Sequence, residues 1–199
     1  MGLLVGFVVG VHWTTTEPAL LWTVQFDGYG QVRTGDGWLS LSPRPSVEPT
    51  ETHAALVVAG DPSWRDYQFQ VRMRLERQLR HNSSPNPWEV GWLFFRYQAP
   101  DTSYYLAHKT NGLELGKLVP ASTGTTQVFL VTTEEPAVEL GRWYQYRVLL
   151  ERSTISVYVD GVLHIKYKDP DPIESGRVGV YAEDAHTSAE HPAVKLANW

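Results

Sequence analysis

Apolar and polar residues alternate along most of this chain with a period of two. The clearest run is 67–75 (YQFQVRMRL), where Tyr67, Phe69, Val71, Met73 and Leu75 point one way and Gln68, Gln70, Arg72 and Arg74 the other. Successive side chains of a strand point to opposite faces, so this pattern predicts a β-strand with one buried and one solvated face. Shorter runs of the same kind lie at 38–41, 54–58, 91–97, 104–109, 112–118, 127–131, 144–151, 154–159, 162–166 and 177–183. Asp160-Gly161 joins SVYV to VLHI, and Asn111-Gly112 joins YYLAHK to LELGKL. Both read as two-residue hairpin loops, whose positive φ angles Gly, Asn and Asp tolerate. Strands at this spacing predict an all-β fold with antiparallel sheets, a sandwich or a barrel. The alternation also names a core, with Leu93, Phe95, Val157, Val159, Val178 and Val180 joining the inward face of 67–75, since a one-residue slip would turn every apolar side chain to water.

A length of 199 residues suits one such domain, and no run resembles an interdomain linker. Residues 21–199 read as the sandwich, and 1–20 as an N-terminal strand or the remnant of a targeting segment. The apolar opening MGLLVGFVVGV is too short to span a bilayer and lacks the basic start and small-residue cleavage pattern of a signal peptide. No membrane span is expected. The chain has no cysteine, which excludes disulfides, thiol catalysis and thiolate zinc sites, so any metal must use oxygen or imidazole ligands. Lys and Arg number 17 against 22 Asp and Glu, a formal net charge of -5. Such a chain has no basic face with which to release counterions, and nucleic acid is not an expected partner. The 8 Trp and 10 Tyr suit strands and ligand platforms. None of this sets an oligomeric state.

Three places carry candidate chemistry. If Leu93 and Phe95 enter the core, Trp92, Phe94, Arg96 and Gln98 share the opposite face, offering ring-stacking surface beside hydrogen-bonding groups, as a saccharide site needs. The plainer alternative packs the aromatics under a loop and pairs Arg96 with a carboxylate. In the hairpin 104–117, His108, Lys109, Glu114 and Lys117 lie close in sequence, with Tyr105 as a further ligand contact. Leu113 and Leu115 in the core would turn Glu114 outward, and cross-strand pairing with His108 or Lys109 would give a catalytic base with a neutralising neighbour. A solvated hairpin with ion pairs is the alternative. Asp27 near the start and Asp184 near the end are hard oxygen ligands for a structural Ca²⁺ if the termini meet, or else ordinary turn and strand-end residues. His186 and His191 lie five apart with Glu190 between them, no further ligand of convincing spacing is nearby, and zinc is not expected.

From Leu21 on, the segments LWTVQFDGYG, DGWLSL, DYQFQVRMRL, GWLFFRY, YYLAHKTNGLELGK, GRWYQYRVLLERSTISVYVDGVL and GRVGVYAEDA follow one another in an order that resembles the concanavalin A-like jelly-roll superfamily. Within it the chain is similar to the laminin G-like and "domain of unknown function 1080" (3-keto-disaccharide hydrolase-like) group. The resemblance implies a jelly-roll sandwich with a polysaccharide or oligosaccharide as partner. It also implies calcium, which several members hold. Polysaccharide lyases on similar jelly rolls use Tyr or His as base, with Arg, Gln or His facing the uronate carboxyl, and Tyr104, Tyr105, His108, Arg96 and Gln98 match those types. Family 16 glucanases of the superfamily carry Glu-x-Asp-x-x-Glu on one strand; the run Glu114-Leu115-Gly116-Lys117 does not match, which disfavours that kind of hydrolase. The expectation is a glycan-binding or glycan-processing domain, extracellular or periplasmic. Its alternatives are a glycoside hydrolase or polysaccharide lyase using His108, Lys109 and Glu114, and a laminin G-like protein-interaction domain. A fold alone does not decide among them.

Overall fold

The computed structural model describes residues 12–13 and 18–198. Of segment 1–20, read above as a strand or a remnant, residues 1–11 and 14–17 lie outside the described residues. Among those described there are strands and no helices. In chain order they are β1 (His12–Trp13), β2 (Thr23–Phe26), β3 (Gln31–Gly35), β4 (Trp38–Ser42), β5 (Ala54–Ala59), β6 (Tyr67–Gln78), β7 (Gly91–Ala99) and β8 (Thr102–Lys109). These are followed by β9 (Gly112–Pro120), β10 (Thr125–Thr132), β11 (Trp143–Glu151), β12 (Thr154–Val159), β13 (Val162–Lys168), β14 (Arg177–Glu183) and β15 (Ala185–Asn198).

They form two antiparallel sheets. One runs β13-β12-β11-β6-β15-β4-β3, with β1 added to β15; the other runs β10-β9-β8-β7-β14-β5-β2. The sheets stack through the residues that alternation directs inward. Tyr67, Phe69, Val71, Met73 and Leu75 of β6 and Val157 and Val159 of β12 are buried, and opposite them lie Leu93 and Phe95 of β7 and Val178 and Val180 of β14. This is the core named from the sequence. Side chains of two inner faces filling the space between sheets is what makes a sandwich stable.

The two hairpin loops behave differently. Asp160 and Gly161 both take positive φ, 50° and 82°, between paired Val159 and Val162, the geometry of a primed turn. In the other hairpin Lys109 pairs with Gly112, so the loop residues are Thr110 and Asn111, one position earlier than expected. Gly112 instead opens β9 at φ 122°, where a Cβ would lie 1.8 Å from the Thr133 carbonyl oxygen. The resulting register sets Ala107 opposite Glu114 and His108 opposite Leu113. That parity decides which polar side chains of the hairpin can meet.

Arg96 breaks the alternation of β7. It sits at φ 46°, and pairing on both sides of β7 shifts register around it. The side chain therefore leaves the outer face on which Trp92 and Phe94 lie and runs to the end of the sandwich. There its guanidinium donates to the carbonyls of Arg65 (3.1 Å), Ile173 (2.7 Å) and Arg152 (2.6 Å), with Asp66 at 3.4 Å. At 1% exposure it ties β7 to three loops.

Candidate functional site

The outer face of the seven-stranded sheet carries a cleft of about 400 Å³. Its floor is built by strand alternation. Trp92 of β7, Tyr105 of β8 and Tyr181 of β14 are cross-strand neighbours, since Trp92 pairs with Ala107 and Tyr181, and Tyr105 with Phe94. The Trp92 ring lies 4.9 Å from that of Tyr105 and 5.3 Å from that of Tyr181, distances at which aromatic pairs attract beyond their burial. The Trp92 indole N–H donates to the Trp88 carbonyl at 2.9 Å, which fixes the loop before β7 as one wall. Pro87 and Trp88 form that wall, and Gln127 and Phe129 of β10 form the other.

Polar groups converge between the walls. Lys109 Nζ donates to Glu114 Oε2 at 2.7 Å, the Tyr105 hydroxyl donates to Glu114 Oε1 at 3.1 Å, and Gln127 Nε2 donates to the Tyr105 hydroxyl at 2.7 Å. Glycine makes this possible at one position. A Cβ on Gly116, the residue opposite Tyr105, would stand 2.2 Å from the Tyr105 hydroxyl oxygen, so the phenol can lie across β9 only over a bare backbone. On the far side Glu183 accepts from the Tyr181 hydroxyl at 2.7 Å. Burial pushes the Glu183 carboxyl above the usual carboxylate range, against the lowering effect of that hydrogen bond.

A second cleft, of about 250 Å³, adjoins the first and shares Trp92, Gln127 and Glu183 with it. Its lining is largely apolar: Phe26, Leu56, Phe94, Pro100, Leu118 and Tyr181.

Of the residues singled out from the sequence, the structure thus brings Trp92, Lys109 and Glu114 to one cleft and Phe94 to its neighbour, while Tyr105 is buried beneath the first and touches no ligand space. Trp92 is only 6% exposed, however, so the stacking surface open to solvent belongs to Trp88 (45%) and Phe129 (62%). Arg96 is absent from the face for the reason given above, and Gln98 is exposed beyond the bulge, donating to the Ser175 carbonyl. His108 points into the sandwich, where Nδ1 lies 2.6 Å from the Tyr146 hydroxyl and the ring packs edge-on against Tyr144. Burial lowers its pKa to about 4, and it takes no part in the Lys109–Glu114 pair. Lys117 also turns inward, donating to Asp169 at 3.0 Å. Trp88, Gln127, Phe129 and Glu183 were not among the sequence candidates. Gln127 and Phe129 share one face of β10 by alternation, a signal present in TTQVFLV; Glu183 shares the outer face of β14 with Tyr181 by the same alternation.

The two candidate calcium ligands do not make a cation site together. Both Asp184 oxygens are taken, one by the Ser46 hydroxyl and the His53 N–H, the other by the Arg80 guanidinium at 3.0 Å. A positive charge from the protein already occupies the place a cation would need. Asp27 lies in an exposed turn, accepting from the Tyr29 N–H at 3.0 Å. Among the described residues no three acidic or imidazole groups are placed to hold a metal.

The profile of the 3-keto-α-glucoside-1,2-lyase-like domain matches residues 12–191. The chain belongs to this family. Members of the wider fold appear among solved structures: the carbohydrate-binding module CBM66 from Bacillus subtilis superposes with a TM-score of 0.59 at 14% identity, covering 92% of this chain and 94% of that one. The exoplasmic/lumenal domain of VIP36 in its Ca²⁺-bound form gives 0.58 at 11% identity, covering 90% and 84%. A Bacillus subtilis protein with a galectin-like fold gives 0.58 at 12%, covering 94% and 99%. These likenesses establish the jelly-roll sandwich of the lyase-like domain, as its sequence led us to expect. Among curated proteins none matches the sequence.

Proposed function

We propose that this lyase-like domain binds a saccharide in the cleft over Trp92. The observation that carries the reading is the combination of exposed aromatic walls, Trp88 and Phe129, with converging hydrogen-bonding groups on Lys109, Glu114, Gln127 and Glu183. Sugar rings present C–H faces that stack on aromatics and hydroxyls that bridge carboxylate, amide and ammonium groups. The cleft volume, about 400 Å³, falls within the ordinary range of small-ligand sites, roughly 300–1,000 Å³. Family membership and the carbohydrate-binding module among the structural neighbours support the same class of ligand. Titration calorimetry against methyl α-glucoside, maltotriose and 3-keto-α-glucosides tests it: saturable heat is expected with at least one, weakened by Phe129→Ala. No heat with any, or full affinity in a Phe129→Ala, Trp88→Ala double variant, overturns it.

Glu183 favours a second reading, that the domain also cleaves what it binds. In a 1,2-elimination of a 3-keto-α-glucoside, the ketone acidifies the C2 proton. A base takes that proton, the C2–H electron pair becomes the C1=C2 double bond, and the C1–O bond breaks. The departing oxygen then receives the proton. A carboxylate whose pKa burial has raised is the stronger base and the better proton carrier, and Glu183 lies in the cleft to serve in both roles. Glu183→Gln is expected to remove turnover of a 3-keto-α-glucoside while keeping most of its affinity; unchanged turnover sinks this reading and leaves the binding reading intact.

A further inference from the structure

The outer face holds two adjoining compartments, joined at one seam, that differ in their polar groups. The first sets Lys109, Asn111 and Glu114 between its Pro87, Trp88 and Phe129 walls; the second has none of these and is lined by Phe26, Leu56, Phe94, Tyr97, Pro100, Leu118 and Tyr181. Trp92, Gln127 and Glu183 border both. We infer that the ligand is an amphiphilic glycoside, one sugar joined to an apolar, ring-sized aglycone, with its sugar in the first compartment and its aglycone in the second. This rests on the saccharide reading and narrows it.

Three observations support that division. A pure polysaccharide would place hydroxyls against every subsite, yet the second compartment offers polar groups only at the seam, from Gln127 and Glu183, and from the Tyr97 and Tyr181 hydroxyls. The Tyr181 hydroxyl is already committed to Glu183. Sugar hydroxyls buried there would lose water without replacement partners, a cost that apolar surface does not incur. Second, about 250 Å³ is ample for one ring, given that a dry cavity of roughly 150 Å³ accepts benzene. Third, the walls are aromatic and half open. Phe26 is 40% exposed and packs edge-on to Tyr181, which in turn stands perpendicular to Phe94 at 5.4 Å. A flat apolar group sliding between Phe26 and Leu118 covers surface that now faces water. The bond joining sugar to aglycone then spans the seam, over Glu183.

The test compares phenyl α-D-glucopyranoside with methyl α-D-glucopyranoside, each also as its 3-keto form, and with maltotriose, by calorimetry on the whole chain. The phenyl glycoside of a pair is expected to bind at least about tenfold more tightly than the methyl one, from burial of one ring. Leu118→Asn and Phe26→Asp, at half-buried and exposed positions, are expected to erase that preference while the methyl glycoside keeps its affinity. Equal affinity for phenyl and methyl glycosides overturns the inference but leaves the saccharide reading standing. So does a gain of the same size for maltotriose with none for the phenyl group. Binding by none of the five ligands overturns both. A preference that survives in both variants shows that the aglycone lies elsewhere and overturns the assignment of the second compartment.

Discussion

Replacing Arg96 with methionine separates a framework role from a ligand role for the largest buried cation on β7. The change removes donors to the carbonyls of Arg65, Ile173 and Arg152 and the 3.4 Å contact to Asp66. A buried acceptor left without its donor costs about 1–3 kcal/mol. Three such carbonyls set an upper figure near 9 kcal/mol, but the pocket between Arg65, Arg152 and Glu174 opens beside them and lets water reach the vacated acceptors. The lower end of the range therefore applies, about 3 kcal/mol in total. For a domain of this length each kcal/mol moves Tm by ~2–4 °C, so Arg96→Met should melt about 6–12 °C below the parent by scanning calorimetry. Its saccharide affinity, measured well below that Tm, should be unchanged. A variant that melts within about 2 °C of the parent would refute the accounting, and one that also loses the sugar would return Arg96 to the binding face.

Gly116→Ala should reduce saccharide affinity more than it reduces Tm, because its Cβ displaces the Tyr105 phenol and with it the bonds to Glu114 and Gln127; crystallography or calorimetry of the variant reads this directly. His108 makes stability depend on acid. Its pKa is lowered in the folded state to about 4 from 6.5, so the neutral ring's contribution is fully present above the unfolded pKa and is lost as pH falls through that window. About 3 kcal/mol is at stake, and His108→Phe should show a shallower fall of Tm between pH 6.5 and 4 than the parent. Glu114→Gln should weaken the Lys109 contact but leave the cleft folded, lowering affinity without moving the far-ultraviolet dichroism spectrum.

Strand identity was readable wherever large apolar residues alternate, as in β6 and β12, because burial of one face imposes the period. It was not readable in β15, which pairs with both β4 and β6 yet has the sequence AHTSAEHPAVKLAN. Its inward positions are Ala185, Thr187, Ala189 and Val194, small because neighbouring side chains fill the space; a Cβ on Gly91 would already meet Thr187 at 2.6 Å. The register shift between Glu190 and Ala193, with His191 at φ 51°, further hides the period. The site was readable to the extent that parity held. Trp92 and Glu114 reached the outer face because Leu93, Leu113 and Leu115 were rightly taken as core. Arg96 and Gln98 left it because a bulge reverses parity, and a bulge has no hydrophobic signature. Alternation alone puts Lys109 on the face of Glu114 and His108 on the other, whether the hairpin loop is Asn111-Gly112 or, as found, Thr110-Asn111. Trp88 lies in a loop, where no periodicity acts.

The cleft takes one wall from β10, the last strand of its sheet, held along one edge only, by β9, with its pairing interrupted between Phe129 and Val131. Strands with one partner and little buried surface open at a fraction of the free energy needed to unfold the core. Gln127 and Phe129 therefore sit on an edge strand, while Trp92 and Glu183 sit on interior strands paired on both sides. Amide exchange should be faster in 125–132 than in the interior strands of this sheet and should slow when a ligand bridges edge and floor, so that part of the affinity is spent on quieting the edge and ligands of different width can be admitted by one unchanged framework.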